Sequence, residues 1–248
     1  MSGFLAVLKR EVLSLFVTPL AWIAISSFLL VQGIHFFWLV RHFSNQQQIA
    51  ADGGPVQAFF GGTIFLYLPL LFICPLLTMR LFAEERRSGT IEALMTAPVG
   101  SAGIVLAKYA ASLVAYTSMW APTVLYMVFV SKTGDIDTRV MGSSYLAIFL
   151  VGAGYLAVGT MTSAFSKSQV VAAVLSAMAL IALFLIGIGE FIFLDGPVRE
   201  VCSYVSVWTQ MGEFSQGIID LRRLVWNGTV ILLPLFVTVR AVDAWRWG

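Results

Sequence analysis

Charge is the scarcest property of this sequence. Asp, Glu, Lys and Arg make up only 11% of the 248 residues, whereas they make up about a quarter of an ordinary soluble domain. Apolar residues make up 59%, and the mean hydropathy is +0.89. A soluble domain of this length cannot bury so much apolar surface, and a disordered chain requires low hydrophobicity and high charge. The composition excludes both classes and predicts an integral membrane protein.

A surplus of either charge sign is also missing. Fifteen Lys and Arg residues are balanced by 13 Asp and Glu residues, which leaves a net charge of +2. Proteins that bind nucleic acid carry a basic patch or stripe. We therefore expect membrane lipid around this chain and no nucleic-acid partner.

Cysteine and histidine are too rare to form a disulfide framework or a metal centre. The two cysteines are Cys74 and Cys202, and the two histidines are His35 and His42. No H-E-x-x-H, C-x-x-C or Ser/His/Asp pattern is present. The sequence predicts no catalytic residue and no metal site. We expect His35 to hydrogen-bond between helices and Glu190 to lie at the outer interface, with a proton relay as the alternative.

The sequence also lacks the phosphate-binding loop G-x-x-x-x-G-K-[ST]. The nearest fragment, Gly103 to Lys108, has neither the second glycine nor the hydroxyl residue. The chain therefore cannot hydrolyse ATP by that chemistry. We expect no cofactor on this chain, and any nucleotide energy must come from a partner.

Long apolar runs are abundant, and a membrane-spanning helix needs about 20 such residues. They predict an all-α membrane protein with six transmembrane helices in one domain, residues 1–248. The predicted spans are Leu20–Val40, Phe59–Met79, Lys108–Val130, Met141–Phe165, Gln169–Gly189 and Leu224–Val242. Dense small residues in the fourth and fifth spans favour close helix packing within one subunit over a substrate path.

Residues 1–18 are predicted to form an amphipathic helix at the membrane surface. Phe4, Leu8, Val12 and Leu15 form one apolar stripe, and Arg10 and Glu11 are predicted on the opposite face. Thr18-Pro19 offers a natural break before the first span. Charge in the middle of this segment differs from a cleavable signal peptide, which we do not expect here. The charged residues of this interfacial helix are Lys9, Arg10 and Glu11.

The basic residues at the ends of the spans predict the orientation. With the N-terminus inside, nine basic residues are cytoplasmic and six lie outside. The cytoplasmic set is Lys9, Arg10, Arg80, Arg86, Arg87, Lys108, Lys167, Arg240 and Arg246, and Lys108 is expected to extend to the inner membrane surface. Both termini are then cytoplasmic. The longest outer loop, residues 190–223, is predicted to contain one or two short helices in the outer leaflet.

The cytoplasmic loop, residues 82–104, carries the most specific pattern. Four charges, Glu84-Glu85-Arg86-Arg87, end the second span, and Ser88-Gly89-Thr90 interrupts the chain. A short helix is predicted next, with Ile91, Leu94 and Met95 on one face and Glu92 near its positive end. Such a helix fits a cleft on a cytosolic partner. From composition alone, the alternative is that this segment is an ordinary solvated loop.

Three segments of this chain resemble one known family. FAEERRSGTIEALMTAPV resembles the conserved loop of type-2 ABC transporter permeases, and LKREVLSLFVTPLAW resembles their interfacial helix and first-span entry. FSQGIIDLRRLVW resembles the stretch before their last span. The resemblance covers nearly the whole chain and is closest to the gliding-motility and copper-enzyme-maturation branch.

This resemblance implies a permease dimer, of two identical copies or of two different chains, on a dimer of ABC ATPases that holds ATP and Mg. It assigns the ATPase-coupling role to residues of the cytoplasmic loop, which are Glu84, Glu85, Arg86, Arg87, Gly89, Thr90, Glu92, Leu94 and Met95. The implied function is export across the bacterial inner membrane. The alternative is mechanotransmission to an extracytoplasmic auxiliary partner without solute transport. An ATP-independent channel or membrane enzyme is disfavoured by the lack of charged lining and catalytic clusters.

Overall fold

The computed structural model describes residues 3–44, 54–61, 63–91, 99–132, 137–193 and 195–247. These residues form helices and no strand, which confirms the predicted all-α class. The helices, with a 3-10 turn at Ala121–Thr123, are α1 (Gly3–Val17), α2 (Pro19–Phe43), α3 (Pro55–Phe60), α4 (Ile64–Thr78), α5 (Ala83–Ser88), α6 (Ser101–Trp120), α7 (Val124–Ser131), α8 (Thr138–Phe165), α9 (Gln169–Ile192), α10 (Pro197–Val205), α11 (Val207–Phe214) and α12 (Leu221–Trp247).

Six stretches of the described residues are long and apolar enough to cross a membrane, as predicted. They are span 1 (Pro19–Phe43), span 2 (Ile64–Ser88), span 3 (Ser101–Ser131), span 4 (Thr138–Phe165), span 5 (Gln169–Ile192) and span 6 (Leu221–Trp245). The predicted break at Thr18 separates α1 from α2. Pro122 lies in the 3-10 turn that divides span 3 into α6 and α7, because proline cannot donate a helical hydrogen bond.

Two spans begin at least five residues away from their predicted starts. Phe59 was expected to begin span 2, but Phe59 and Phe60 belong to the separate helix α3 and are fully buried. Span 3 was expected to begin at Lys108, but its helix already begins at Ser101. Lys108 therefore lies within the helix, two turns from its start.

Span 4 is the centre of the bundle. About 78% of its most apolar window is buried, against 22% for span 5 and 28% for spans 1 and 6. Its glycines permit close contact: Gly152 lies against the Tyr116 ring, and Gly159 lies against the Thr78 side chain. The dense small residues of span 4 thus pack against helices of the same chain.

A glutamine in span 1 compensates for a proline in span 2. Pro69 removes a hydrogen bond from the carbonyl of Phe65, one helical turn earlier. The fully buried Gln32 donates its Nε2 hydrogen to that carbonyl at 3.0 Å. Neighbouring helices commonly satisfy such freed carbonyls in membranes. The nearby His35 stacks on Phe59 and Phe65, and its Nδ1 has no hydrogen-bond partner among the described residues.

Consecutive spans run in opposite directions, so each end of the molecule carries its own set of elements. The end that carries α1 and α5, here called the α1 end, also carries the start of span 3 and the ends of spans 4 and 6. The opposite end carries α3, α10 and α11. At that end the Ser143 hydroxyl donates to the carbonyl of Phe214 at 2.6 Å and joins span 4 to α11. Residues 190–223, where one or two short helices were predicted, contain α10 and α11.

Candidate functional site

Four charged side chains meet at the α1 end and form a closed ring of alternating sign. Lys108 Nζ lies 3.1 Å from Glu11 Oε1 and 3.1 Å from Glu85 Oε2. Arg10 Nη2 lies 2.6 Å from Glu11 Oε1 and 2.8 Å from Glu85 Oε1. We call Arg10, Glu11, Glu85 and Lys108 the charge ring. It joins α1, α5 and α6, which are far apart in the sequence.

The charge ring is mostly withdrawn from solvent. The Lys108 side chain is 1% exposed, and its Nζ lies 5.3 Å from the centroid of the Phe82 ring. A buried charge is tolerated only when it is paired and hydrogen-bonded. Each of the four charges lies next to two charges of opposite sign, so none of them is left unpaired. The ring is therefore a fixed junction between helices rather than a set of solvated surface pairs.

Arg10 is the most exposed member of the ring. Burial lowers the pKa of Arg10, but the hydrogen bonds and charges of Glu11 and Glu85 outweigh that cause and leave the pKa above its ordinary value. Its guanidinium thus stays charged and closes the ring from the solvent side.

The structure corrects two expectations about these residues. Glu11 was predicted opposite the apolar stripe of α1, but Val7, Glu11 and Leu15 form the buried face that packs on α6. Lys108 was predicted to extend to the membrane surface, and it is buried instead. The prediction considered only the spacing of apolar residues in α1. It therefore could not show that Glu11 faces the buried Lys108. A lysine inside a long apolar helix was the available signal for such a partner.

Helix α5 is bonded to span 4 by its backbone and by one arginine. The Ser163 hydroxyl accepts hydrogen bonds from the amides of Phe82 and Ala83, at 3.1 and 3.3 Å, and donates to the carbonyl of Met79. Arg86 Nη1 donates to the carbonyl of Ala164 at 2.6 Å. The Arg86 guanidinium also lies 4.7 Å from the Trp245 ring of span 6. Sequence reasoning named Arg86 but missed Ser163 and Trp245.

The remaining residues of the predicted coupling set face outward. Glu84 pairs with Arg80 at 2.8 Å. Gly89 ends α5 in the left-handed conformation, with φ of 73°, as helix-terminating glycines commonly do. Arg87 and Thr90 are exposed, and Arg87 makes no ion pair with any residue that the structure describes. Lys9 on α1 is exposed as well.

The predicted short helix after Thr90 lies mostly outside the described residues. Ile91 is described, whereas Glu92, Leu94 and Met95 fall within residues 92–98, which are not. Their predicted coupling role stays a prediction.

An open groove of about 280 Å³ runs between α1, α5 and α6. The charge ring forms part of its wall, and Arg80, Glu84, Ser88 and Thr90 form its rim. Among the described residues, no group of three or more His, Cys, Asp or Glu side chains could hold a metal ion. The groove is lined mainly by charged and polar side chains.

The six long apolar helices define a multi-pass membrane protein. Residues 12–193 match the family model described as ABC-2 family transporter protein. That match covers well over half of the chain, so the protein belongs to the ABC-2 transporter family and is the permease subunit of an ABC transporter. Membership implies an ATPase partner. The resemblance seen in the sequence is thereby confirmed at the level of the family. A comparison with curated proteins finds no match.

Proposed function

We propose that α5 and the charge ring receive the movement of a partner ABC ATPase and pass it to the spans. The observation that carries this proposal is the bonding of α5 to several helices at once. Glu85 joins α5 to α1 and span 3, and Ser163 and Arg86 join it to span 4. Arg86 also contacts Trp245 of span 6. A push on residues 84–90 would therefore move four spans together instead of bending one loop.

The predicted orientation places this region on the side where ATP is available. The basic residues favour a cytoplasmic α1 end, and the bacterial inner membrane is the proposed location. ATP and Mg would be bound by the ATPase, because this sequence has no phosphate-binding loop.

We propose two permease copies, a homodimer, on two ATPase copies. Closure of the ATPases would push on α5 and open an export path.

The alternative is that the permease passes conformational work to an extracytoplasmic auxiliary partner and transports no solute. The resemblance to the gliding-motility branch motivates this candidate. The folded helices α10 and α11 at the opposite end are a specific observation in its favour, since they offer a fixed surface for such a partner. ATP hydrolysis that depends on that partner, with no solute flux, would distinguish it from export.

The proposed docking can be tested at Arg87, whose guanidinium is exposed and unpaired within the described residues. We expect Arg87→Glu to lower the amount of ATPase that copurifies with the tagged full chain by at least about tenfold, because a reversed interface charge costs on the order of 1.4 kcal/mol or more. The measurement is quantitative mass spectrometry of captured proteins that contain G-x-x-x-x-G-K-[ST].

The matched control is Arg139→Glu, an exposed arginine at the opposite end. It should leave the captured ATPase unchanged. Equal capture by the Arg87 variant and the wild type would refute docking at α5, whereas equal losses in both variants would indicate a general effect of charge.

A further inference from the structure

A charged cleft of about 810 Å³ opens at the end opposite α1, between the end of α9, α10 and the start of α12. Its lining carries charges of both signs: Glu190 from α9, Arg199 and Glu200 from α10, and Asp220 and Arg222 at the start of α12. Apart from Glu190, these residues lie beyond the segment that matches the family model.

The floor of the cleft is fixed by a buried ion pair. Arg223 binds the Glu213 carboxylate with two hydrogen bonds, at 2.9 and 2.8 Å, and its Nη1 donates to the carbonyls of Ser203 and Tyr204. The Arg223 side chain is only 7% exposed. Each of its three guanidinium nitrogens therefore donates at least one hydrogen bond, and α10, α11 and α12 are held together beneath the cleft.

Several charges on the wall are not occupied in this way. Glu200 and Arg222 are exposed, and neither makes an ion pair with a described residue. Glu190 accepts a hydrogen bond from the Thr209 hydroxyl and has no ion pair of its own among the described residues. The cleft thus offers two carboxylates and one guanidinium that form no ion pair within the part of the chain that the structure describes, above a fixed floor.

Exposed apolar side chains lie in the cleft lining and directly next to it in the sequence. Val201 lines the cleft and is 61% exposed, and Phe191 and Ile192 follow Glu190 with 65% and 70% exposure. On the other side, Leu221 precedes Arg222 and is 71% exposed. In a chain that spans a membrane, such residues at the ends of spans contact lipid. The cleft therefore opens toward the head-group layer and not only toward water.

We propose that this cleft binds the head group of a zwitterionic phospholipid. The ammonium group would lie near Glu190 and Glu200, and the phosphate near Arg222, whose guanidinium geometry suits a phosphate. The acyl chains would lie against the apolar border. Charges of both signs in one cleft favour a zwitterion over an anionic lipid, because an anionic head group would leave the carboxylates facing like charge.

The test uses the full-length chain in nanodiscs that contain equal amounts of phosphatidylethanolamine, phosphatidylcholine and phosphatidylglycerol. Native mass spectrometry after extraction measures which lipid is retained. We expect the two zwitterionic lipids to be retained in preference to phosphatidylglycerol. Glu200→Gln should reduce that preference about fivefold, which corresponds to about 1 kcal/mol for one exposed charge contact. Arg222→Gln should instead reduce the retention of all three lipids about fivefold, because each of them carries the phosphate. Arg139→Gln, outside the cleft, is the control and should retain the preference.

Two results would overturn the proposal. One is retention of phosphatidylglycerol equal to that of the zwitterionic lipids, and the other is an unchanged preference in the Glu200 variant together with unchanged lipid retention in the Arg222 variant. Soluble phosphoethanolamine lacks acyl chains, and we expect it not to displace the lipid at equal concentration. Displacement by it would identify a soluble zwitterion rather than a lipid as the ligand.

Discussion

Replacing Lys108 by methionine will lower the free energy of unfolding by about 3–5 kcal/mol, because it leaves buried carboxylates without their central cation. Lys108 is in contact with both Glu11 and Glu85. Methionine keeps the length of the side chain, so lost packing contributes little. Arg10 cannot replace the lysine, since its side chain is 55% exposed and approaches the carboxylates from the solvent side. The measurement is the unfolding of the purified chain in detergent by denaturant.

The matched control is Lys167→Met, which removes an exposed lysine near the α1 end and should change stability by less than about 0.5 kcal/mol. The double variant Glu11→Gln, Lys108→Met leaves the Arg10–Glu85 pair neutral overall. We expect it to recover much of the loss, since residues in one ion-pair network are not additive. A double variant as unstable as the sum of its single variants would show that the ring is not one electrostatic unit.

Replacing Gly152 by alanine will destabilise the bundle by about 3 kcal/mol or more, at the upper end of the cost of overpacking a core. A methyl group at this position overlaps the Tyr116 ring. Tyr116 cannot move aside easily, because its side chain is 1% exposed and its hydroxyl donates to the carbonyl of Ile148 at 3.0 Å. The contact between spans 3 and 4 must therefore open. The thermal unfolding midpoint of the purified chain measures the effect.

Gly142→Ala is the control on the same helix. Nothing lies within 4 Å of a methyl group at that position, and alanine favours a helix over glycine by about 1 kcal/mol. The Gly142 variant should therefore be as stable as the wild type or slightly more stable. Similar losses in both variants would mean that glycine flexibility, and not the close approach to Tyr116, determines the stability of span 4.

The six spans and the break at Thr18 could be predicted because each depends on local sequence. The length of an apolar run decides whether a helix can cross a membrane, and proline decides where a helix begins. The separate helix α3 was missed because Phe59 and Phe60 continue the apolar run of span 2, although Gly61 ends their helix.

The charge ring could not be predicted, since its members lie on three separate helices. Periodicity places Glu11 on a polar face, and only the packing of α1 on α6 brings it to Lys108. The pattern of residues 84–87 predicted a charged element but not the direction of each side chain. Glu85 and Arg86 bind inward, whereas Arg87 remains available. Three-dimensional packing decides these roles, and no single helix encodes them.

Cross-linking from residue 87 tests the central claim most directly. The native cysteines, Cys74 and Cys202, are buried, so Arg87→Cys can carry a thiol-specific photo-cross-linker in native membranes. Proposed docking at α5 predicts a cross-link from this position to a chain with a phosphate-binding loop, and none from Arg139→Cys at the opposite end. A cross-link to that ATPase from position 139 instead, or labelling of position 87 only from the extracytoplasmic side, would contradict the account.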